Sequence, residues 1–258
     1  MARPGTYVYC LIAADRRPPL RRRVARLPGM GPVRLIAADD HLWLAVADTP
    51  LNRYGAETIN RKLSDLDWVS RAAIVHESVV ESFIDQRAVL PMKLFTIFTS
   101  DDRAIKEVSG DRRRVDAIAK RVANQFEWGV RVTLLPPNAS PPGVRQASAS
   151  PKTISGVGYL SRKKAQRDAA LERAERARET VTGLYDRLSR RSRLAKRRSA
   201  SEMPVDGGPL LLDAAFLVPR VRAASFRALL AREARRLGRL GYQVAVTGPW
   251  PPYTFVKD

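Results

Sequence analysis

A single cysteine in 258 residues, Cys10, rules out an intramolecular disulfide, and two histidines, His41 and His76, are too few and too far apart to build a Cys/His metal cluster. No run approaches the roughly 18 uninterrupted apolar residues of a membrane-spanning helix. Neither a Gly-x-x-x-x-Gly-Lys-Ser/Thr run nor a Gly-x-Gly-x-x-Gly turn occurs, so the usual backbone cradle for nucleotide phosphates is missing. Gly29-Met30-Gly31 reads as a turn, and the acidic pairs Asp39-Asp40 and Asp101-Asp102 suit turn and helix-start positions. His76-Glu77 has the residue types to orient a proton transfer, but a helix-borne histidine bonded to a neighbour is the plainer reading. The sequence therefore nominates no catalytic residue, no cofactor and no metal. Residues 1–5 lead straight into a strand-like run, and Arg16, Arg17 and Arg21 follow too soon for a secretory apolar region, which predicts a cytoplasmic protein.

What the chain has in abundance is positive charge. Its 46 Lys and Arg against 26 Asp and Glu leave a formal charge of +20, which raises the question of an anionic partner. A hydrophobic content of 45% supports packed cores, and the length suits two domains.

Tyr7 to Ala13 reads as a strand, followed by Pro32 to Ala37 and Leu42 to Val46, a pair joined by the polar turn Ala38-Asp39-Asp40-His41 as in a hairpin. Between the first two, Leu20 to Leu27 reads as a short helix stopped at Pro28-Gly29. From Leu66 to Phe83 the apolar positions Leu66, Val69, Ala73 and Val80 fall at helical spacing, with Glu77, Glu81 and Asp85 outward. Val89 to Phe98 returns as an extended segment, Asp101-Asp102 opens another helix, and Asp111 to Phe126 reads as one more. Residues 1–127 are thus expected to form an α+β domain around an antiparallel sheet.

Residues 128–258 show a second pattern. Gly129 to Leu135 is a strand by alternation, and the Pro/Ser/Ala-rich stretch at about 136–152 reads as a mobile loop. A helix from about Gly158 to Arg191 carries the stripe Leu171, Ala174, Ala177, Val181, Leu184 and Leu188. Its other faces are rich in arginine, among them Arg173, Arg176 and Arg187, the candidate face for an anionic partner. The strand Leu210 to Val218, a helix over 223–237 and a last strand from Tyr242 complete a ferredoxin-like order, with one more strand expected between Leu194 and Val205. A basic nucleic-acid-binding module of ferredoxin-like fold is the alternative this charge suggests. The strands lack the paired aromatic platform of an RNA-recognition module, and no helix-turn-helix is evident.

The chain then ends on three prolines and three aromatics within Gly248-Pro249-Trp250-Pro251-Pro252-Tyr253-Thr254-Phe255-Val256. Proline removes ladder donors, so the last strand is expected to stop at Gly248-Pro249. The rings beyond are costly to leave in water, and the expectation is that Trp250, Pro251 and Tyr253 close the second core.

Five segments, in order, carry a family resemblance: Tyr7-Val8-Tyr9; Leu66-Asp67-Trp68-Val69 with His76-Glu77-Ser78-Val79-Val80; Val89 to Phe98; Gly158-Tyr159-Leu160; and Gly248 to Val256. Together they resemble the gas vesicle protein F/L family, accessory proteins of gas vesicle formation. The resemblance implies two α+β domains, the second a modified ferredoxin-like fold with the long basic helix, and no catalytic activity. It also implies association with gas vesicles and contact with the small hydrophobic shell protein or other accessory proteins. Motif positions that become candidate partner contacts are Trp68, His76 and Glu77, then Pro91 and Phe95, then Tyr159 and Leu160. In the tail they are Gly248, Pro249, Trp250, Pro252 and Tyr253. One departure stands out. Where the family usually has Phe-Gly-Thr, this chain has Leu94-Phe95-Thr96, and a bulky Phe at a Gly position implies a different backbone or local packing there.

Overall fold

A central strand buried along its whole length organises the first half of the protein. The structure, a computed structural model, describes residues 4–20, 26–135, 156–198 and 208–256. The chain forms two compact units, one of Met1–Glu127 with Gly248–Asp258 and the other of Trp128–Thr247.

In the first unit, β1 (Gly5–Ala13) lies between β3 (Leu42–Thr49) and β4 (Ala88–Pro91), and β2 (Arg34–Ala37) flanks β3 in the order β2-β3-β1-β4. All pairs are antiparallel, and the hairpin closes with Ala37 opposite Trp43. A strand with both faces covered needs a continuous apolar run, which Tyr7-Val8-Tyr9-Cys10-Leu11-Ile12 supplies. A register shift between Val8 and Cys10 marks a bulge, and Tyr7, Tyr9, Cys10 and Ile12 all join one core cluster. That cluster is completed by α3 (Leu66–Glu81) through Ala72, His76, Val79 and Val80, with Phe83 just beyond. Val80 and Phe83 are buried as the spacing predicts, but towards the start of the helix the stripe shifts: Leu66 is 76% exposed, Ala72 rather than Ala73 is buried, and His76 is a core residue. Asp65 caps α3, its carboxylate accepting from the Trp68 N–H at 3.0 Å. The short helices α1 (Leu51–Tyr54) and α2 (Ala56–Lys62) precede it.

Asp101 opens α4 (Asp101–Gly110) as expected, and Ser100 caps it, its hydroxyl accepting from the Arg103 N–H at 3.2 Å. Asp101 and Asp102 fill the first turn, and the Asp101 carboxylate takes bonds from Arg34 and Thr6. The following helix, α5 (Arg112–Val122), ends short of Phe126 because Asn124 adopts a left-handed φ of 56° and donates its N–H to the Arg87 carbonyl at 2.8 Å. Gln125 and Phe126 belong instead to β6 (Gln125–Leu134). The Val89–Phe98 segment also divides, into β4 and β5 (Ile97–Phe98), with a turn over 92–96.

In the second unit β6, α6 (Gly156–Ser189), β7 (Leu194–Arg197), β8 (Leu210–Pro219), α7 (Ala223–Gly238) and β9 (Tyr242–Trp250) follow one another as β-α-β-β-α-β. The sheet order β7-β8-β6-β9 is the ferredoxin-like arrangement, and β7 is the extra strand expected after Leu194. Val181, Leu184 and Leu188 of α6 are buried, as are Phe226, Leu230 and Leu237 of α7 and Phe216 of β8. Within the apolar stripe of α6, burial begins only at Ala177, and Leu171 is 57% exposed. The expected loop at 136–152 and residues 21–25 of the expected helix over 20–27 lie outside the described residues. Among the described residues no helix is long and apolar enough to cross a membrane.

The tail departs from both of its expectations. β9 runs through to Trp250, across a cis Gly248-Pro249 bond, because an edge strand tolerates the donor that proline lacks. Residues 248–258 then cluster with the first unit, not the second. The cause is specific bonding. Thr254 donates its N–H and hydroxyl to the buried Glu127 carboxylate at 2.7 and 2.5 Å, and Arg121 donates to the Phe255 carbonyl at 2.8 Å. Pro251, Pro252 and Phe255 are buried there, and Tyr253 packs on the first core.

Part of the excess of arginine is engaged by buried acids. Asp213 meets Arg131 and Arg198, and Glu233 meets Arg187 and Arg236. Burial pushes the Glu233 carboxyl up, but the hydrogen bonds from Arg187 and Arg236 outweigh it and hold the group below its ordinary value.

Candidate functional site

The first unit opens a cleft of about 760 Å³. One wall is α3, with Ala73, His76 and Glu77; a second is β4 and the turn after it, from Leu90 to Leu94; a third is α4 and α5, with Val108, Val115 and Ile118. The tail contributes Tyr253 and Val256. The wall is chiefly aliphatic, and its polar side chains fall into a charged group (Glu77, Lys93, Glu107, Asp111, Arg114) and three neutral ones, Thr96, His76 and Tyr253.

At the floor lies a three-member network that no sequence motif announced. The Tyr7 hydroxyl sits 2.8 Å from His76 Nδ1 and accepts the Phe95 N–H at 3.2 Å. A hydroxyl owns one proton; having accepted from Phe95, it donates to Nδ1, so the histidine is neutral and carries its proton on Nε2. Burial drives the His76 pKa down to about 4, with the nearby Met92 carbonyl pulling weakly the other way. Burial also pushes Tyr9 up to about 12 and raises the Tyr7 and Tyr253 phenols and the Cys10 thiol. Nε2 of His76 is enclosed and has no partner in hydrogen-bonding geometry; the same holds for the Tyr253 hydroxyl. With Nδ1 occupied and Nε2 protonated and enclosed, His76 offers no base to the cleft. Proton transfer by His76-Glu77 is therefore not what this geometry provides.

Phe95 holds the other end of the network. Its φ of 64° is the left-handed conformation that glycine adopts freely, so of the two expected changes, backbone or local packing, it is the packing that the side chain alters. The ring stacks on Trp68 at 4.9 Å and 11°, Trp68 stacks on Tyr54, and Lys62 lies 5.2 Å above the Trp68 ring. Both Phe95→Gly and Phe95→Ala lose the stack, but only Ala keeps the left-handed penalty of about 1 kcal/mol. Denaturant titration should therefore rank stability as wild type above Phe95→Gly above Phe95→Ala; an Ala variant as stable as the Gly variant would contradict the strain.

Of the sequence-nominated positions, His76, Glu77, Pro91 and Tyr253 converge on the cleft, and Trp68 and Phe95 stack beside the network that floors it. Gly248, Pro249 and Trp250 form the end of β9, and Pro252 is buried beside Tyr253. Tyr159 and Leu160 lie in the first turns of α6, their side chains outside the described residues. Arg173 and Arg176 are exposed, Arg176 bonding Glu172 at 2.8 Å, whereas Arg187 bonds the buried Glu233 and is not free for a partner. Sequence reasoning missed Tyr7 as the hub: the only signal was its place in the Tyr7-Val8-Tyr9 motif, and its partners lie 69 and 88 residues away. Among the described residues no group of His, Cys, Asp and Glu could hold a metal ion.

An α+β unit with an apolar cleft, joined in one chain to a ferredoxin-like unit, defines a two-unit α+β protein. The sequence model described as "Gas vesicle synthesis protein GvpL/GvpF" matches residues 5–257, and the chain belongs to that family. It is 28% identical over 232 residues to gas vesicle protein L of a Streptomyces species, spanning 88% of this chain and 84% of that protein. It is 30% identical over 284 residues to gas vesicle protein L2 of Halobacterium salinarum, spanning 98% and 92%. The fold is similar to the crystal structures of GvpF from Anabaena, with a TM-score of 0.67 at 14% identity, and from Microcystis aeruginosa, with a TM-score of 0.63 at 12% identity. The first comparison covers 99% of this chain and 97% of the other, the second 98% and 99%. Membership gives the chain an accessory role in gas vesicle formation.

Proposed function

We propose that the protein is a non-enzymatic assembly factor that binds the small hydrophobic shell protein of gas vesicles, other gas vesicle accessory proteins, or both. It works in the cytoplasm, in association with gas vesicles. The observation that carries this reading is the apolar cleft whose buried polar groups are neutral. Such a surface suits holding an apolar segment better than moving protons. A subunit bound for a shell exposes apolar surface before assembly, and a carrier needs a matching surface plus enough charge to remain soluble. The exposed arginines of α6, Arg173 and Arg176, supply that charge and a face for acidic partners. Mixed Glu along the same helix argues against a nucleic-acid surface.

Deleting the gene in its host is expected to abolish or sharply reduce gas vesicles, and the purified chain is expected to capture the host's shell protein or another gas vesicle protein. Cells that keep normal vesicles would refute the assembly role. Reversing Arg173 and Arg176 to Glu is expected to weaken capture at low salt; unchanged capture would leave those charges to solubility alone.

A further inference from the structure

The second unit carries a dense run of positive charge along an open edge of its sheet. From Ser189 to Arg198 the chain reads Ser-Arg-Arg-Ser-Arg-Leu-Ala-Lys-Arg-Arg, six bases and no acid. This run spans the end of α6, a turn and β7, the outermost strand of the order β7-β8-β6-β9. Within it Asp213 takes up Arg198 at 2.6 Å, and Arg197 lies 4.5 Å over the Tyr185 ring. Arg190, Arg191, Arg193 and Lys196 are exposed, and among the described residues none of their side chains has an acidic partner.

The backbone of β7 sets what this edge offers. Arg198 donates its N–H to the Asp213 carbonyl at 2.8 Å, and the unbroken register from Leu194–Leu217 to Arg197–Ala214 carries that pairing along the strand. Residues 198 and 196 therefore bond inward to β8, and by the alternation of an antiparallel pair the N–H and C=O of Ala195 and Arg197 point outward. Among the described residues no strand pairs with them. The Ala195 and Arg197 side chains, opposite Phe216 and Ala214, lie on the face that α6 covers through Tyr185, whereas Leu194 and Lys196 lie on the other face.

We infer that β7 takes up an acidic, extended segment of a partner protein as a further strand of this sheet. The inference goes beyond the proposed function and uses neither the cleft nor Arg173 and Arg176, so its failure leaves that reading intact. Two outward N–H groups and two outward carbonyls, alternating along the edge, match the backbone of another strand. The body of a helix keeps its backbone groups for its own bonds, and a phosphodiester chain accepts from the N–H groups but leaves the carbonyls unmatched. Charge then chooses among strands. A second copy of β7 would set Lys196 and Arg197 against their own kind, and like charges directly opposite are destabilising. An acidic strand meets them with complementary charge, and Arg190, Arg191 and Arg193 add to the attraction from the adjoining turn. Because Lys196 and Arg197 stand on opposite faces of the edge, two neighbouring acids in the incoming strand, one to each face, fit better than alternate ones. Leu194, 39% exposed, and the small Ala195 suit apolar residues next to those acids.

The test is fluorescence anisotropy of the full chain with a short labelled peptide, blocked at both ends and built around Glu-Glu-Val-Val. Wild-type protein is expected to bind it and to ignore the Lys-Lys-Val-Val counterpart. Methylating the peptide's backbone nitrogens at alternate positions removes donors from one of its edges only. One methylated form is expected to bind at least about tenfold more weakly and the other to bind like the parent. Ala195→Pro removes an outward N–H, leaves the charge and the bonds to β8 in place, and should weaken binding at least about fivefold. Arg193→Glu with Lys196→Glu should weaken it at least about tenfold, while Arg173→Glu with Arg176→Glu should leave it unchanged. Thermal melts confirm that the variants fold. If the two methylated peptides bind alike, charge alone holds the peptide and strand addition is overturned. Equal losses from the two charge-reversed variants overturn it too, since the β7 edge would then have no special part. Single-stranded DNA that binds more tightly than the peptide at the same salt, and is lost with Arg193→Glu and Lys196→Glu, would assign the edge to nucleic acid instead.

Discussion

Ending the chain at Thr247 is expected to abolish the cooperative unfolding of the first unit, although β1 to β5 and α1 to α5 all lie before residue 128. The lost residues bury Phe255 to 6% exposure together with Pro251, Pro252 and most of the Tyr253 ring. Burying one large aromatic contributes about 1.5–3 kcal/mol, so Phe255 and Tyr253 together contribute about 3–5. Truncation also strips two hydrogen bonds from the Glu127 carboxylate, itself only 4% exposed, and one from Arg121. Bonds to charged groups are worth about 1.5–3 kcal/mol each. The total reaches the 5–15 kcal/mol by which a whole domain is stable. The measurement is denaturant unfolding in a Trp128→Phe, Trp250→Phe background, where Trp43 and Trp68 are the remaining tryptophans and report on the first unit. A truncated chain with an unchanged midpoint would show the tail to be an attachment only. Phe255→Ala alone is expected to cost about 3 kcal/mol and Trp250→Ala, at a half-buried ring, less. A Trp250→Ala variant that folds like wild type yet captures no partner would assign that ring to binding.

The same contacts explain what was legible in the sequence. β1, the β2-β3 hairpin and α3 were readable because each announces itself within a window of ten or so residues: an apolar run, a polar turn, a period near 3.6. The β-α-β-β-α-β order of the second unit was readable for the same reason, down to the four-residue β7. What failed was always non-local. Glu127 and Thr254 are 127 residues apart, and nothing in Trp250-Pro251-Pro252-Tyr253 says which core it will cover. Leu171 belongs to a helical stripe by spacing, but burial starts a turn and a half later because α6 is longer than the core it packs on. Asn124 ends α5 through a left-handed residue that propensity alone does not demand.

The candidate site divides along the same line. Motif segments located His76, Pro91, Phe95 and Tyr253, which lie on separate elements. Their convergence depends on β1 passing between α3 and the β4-β5 turn, which gives Tyr7 both partners at once. Phe95 shows the limit of reading by residue type. A phenylalanine in a glycine position implied a changed backbone or changed local packing, and residue type could not choose between them; the stack on Trp68 and the bond to Tyr7 hold the left-handed form, so it is the packing that changes.

His76 should make the first unit lose about 3 kcal/mol of stability between pH 6.5 and 4. In the unfolded chain the imidazole titrates near 6.5, and in the fold burial lowers this to about 4. Above pH 6.5 both states hold it neutral, and it contributes no pH dependence. As pH falls through 6.5 the unfolded ring binds a proton that the folded ring refuses, so stability drops by about 1.4 kcal/mol per unit until the folded ring titrates as well. The ring is almost wholly enclosed, by Tyr7 at 5.7 Å and Tyr9 at 5.5 Å between centroids, so solvent does little to soften the penalty. Protonation would also add a donor on Nδ1, where the Tyr7 hydroxyl already donates; the hydroxyl would have to turn, against its bond from Phe95. Asp101 and Glu233, both held below their ordinary values by arginine, give up their own contributions only at the acid end of the range. Glu81, whose carboxyl burial raises above its ordinary value, opposes this loss as the pH falls towards 4.5, so the share of His76 is the difference between the wild type and a variant without the imidazole. With only two histidines in the chain, proton NMR can follow the ring directly, and one of the two C2–H resonances is expected to titrate near pH 4. His76→Gln retains an acceptor for the Tyr7 hydroxyl and cannot ionise, so its unfolding midpoint should not decline over that interval while the wild type does. Parallel slopes for the two proteins would place the acid sensitivity elsewhere and remove the neutral, donor-bearing histidine from the floor of the cleft.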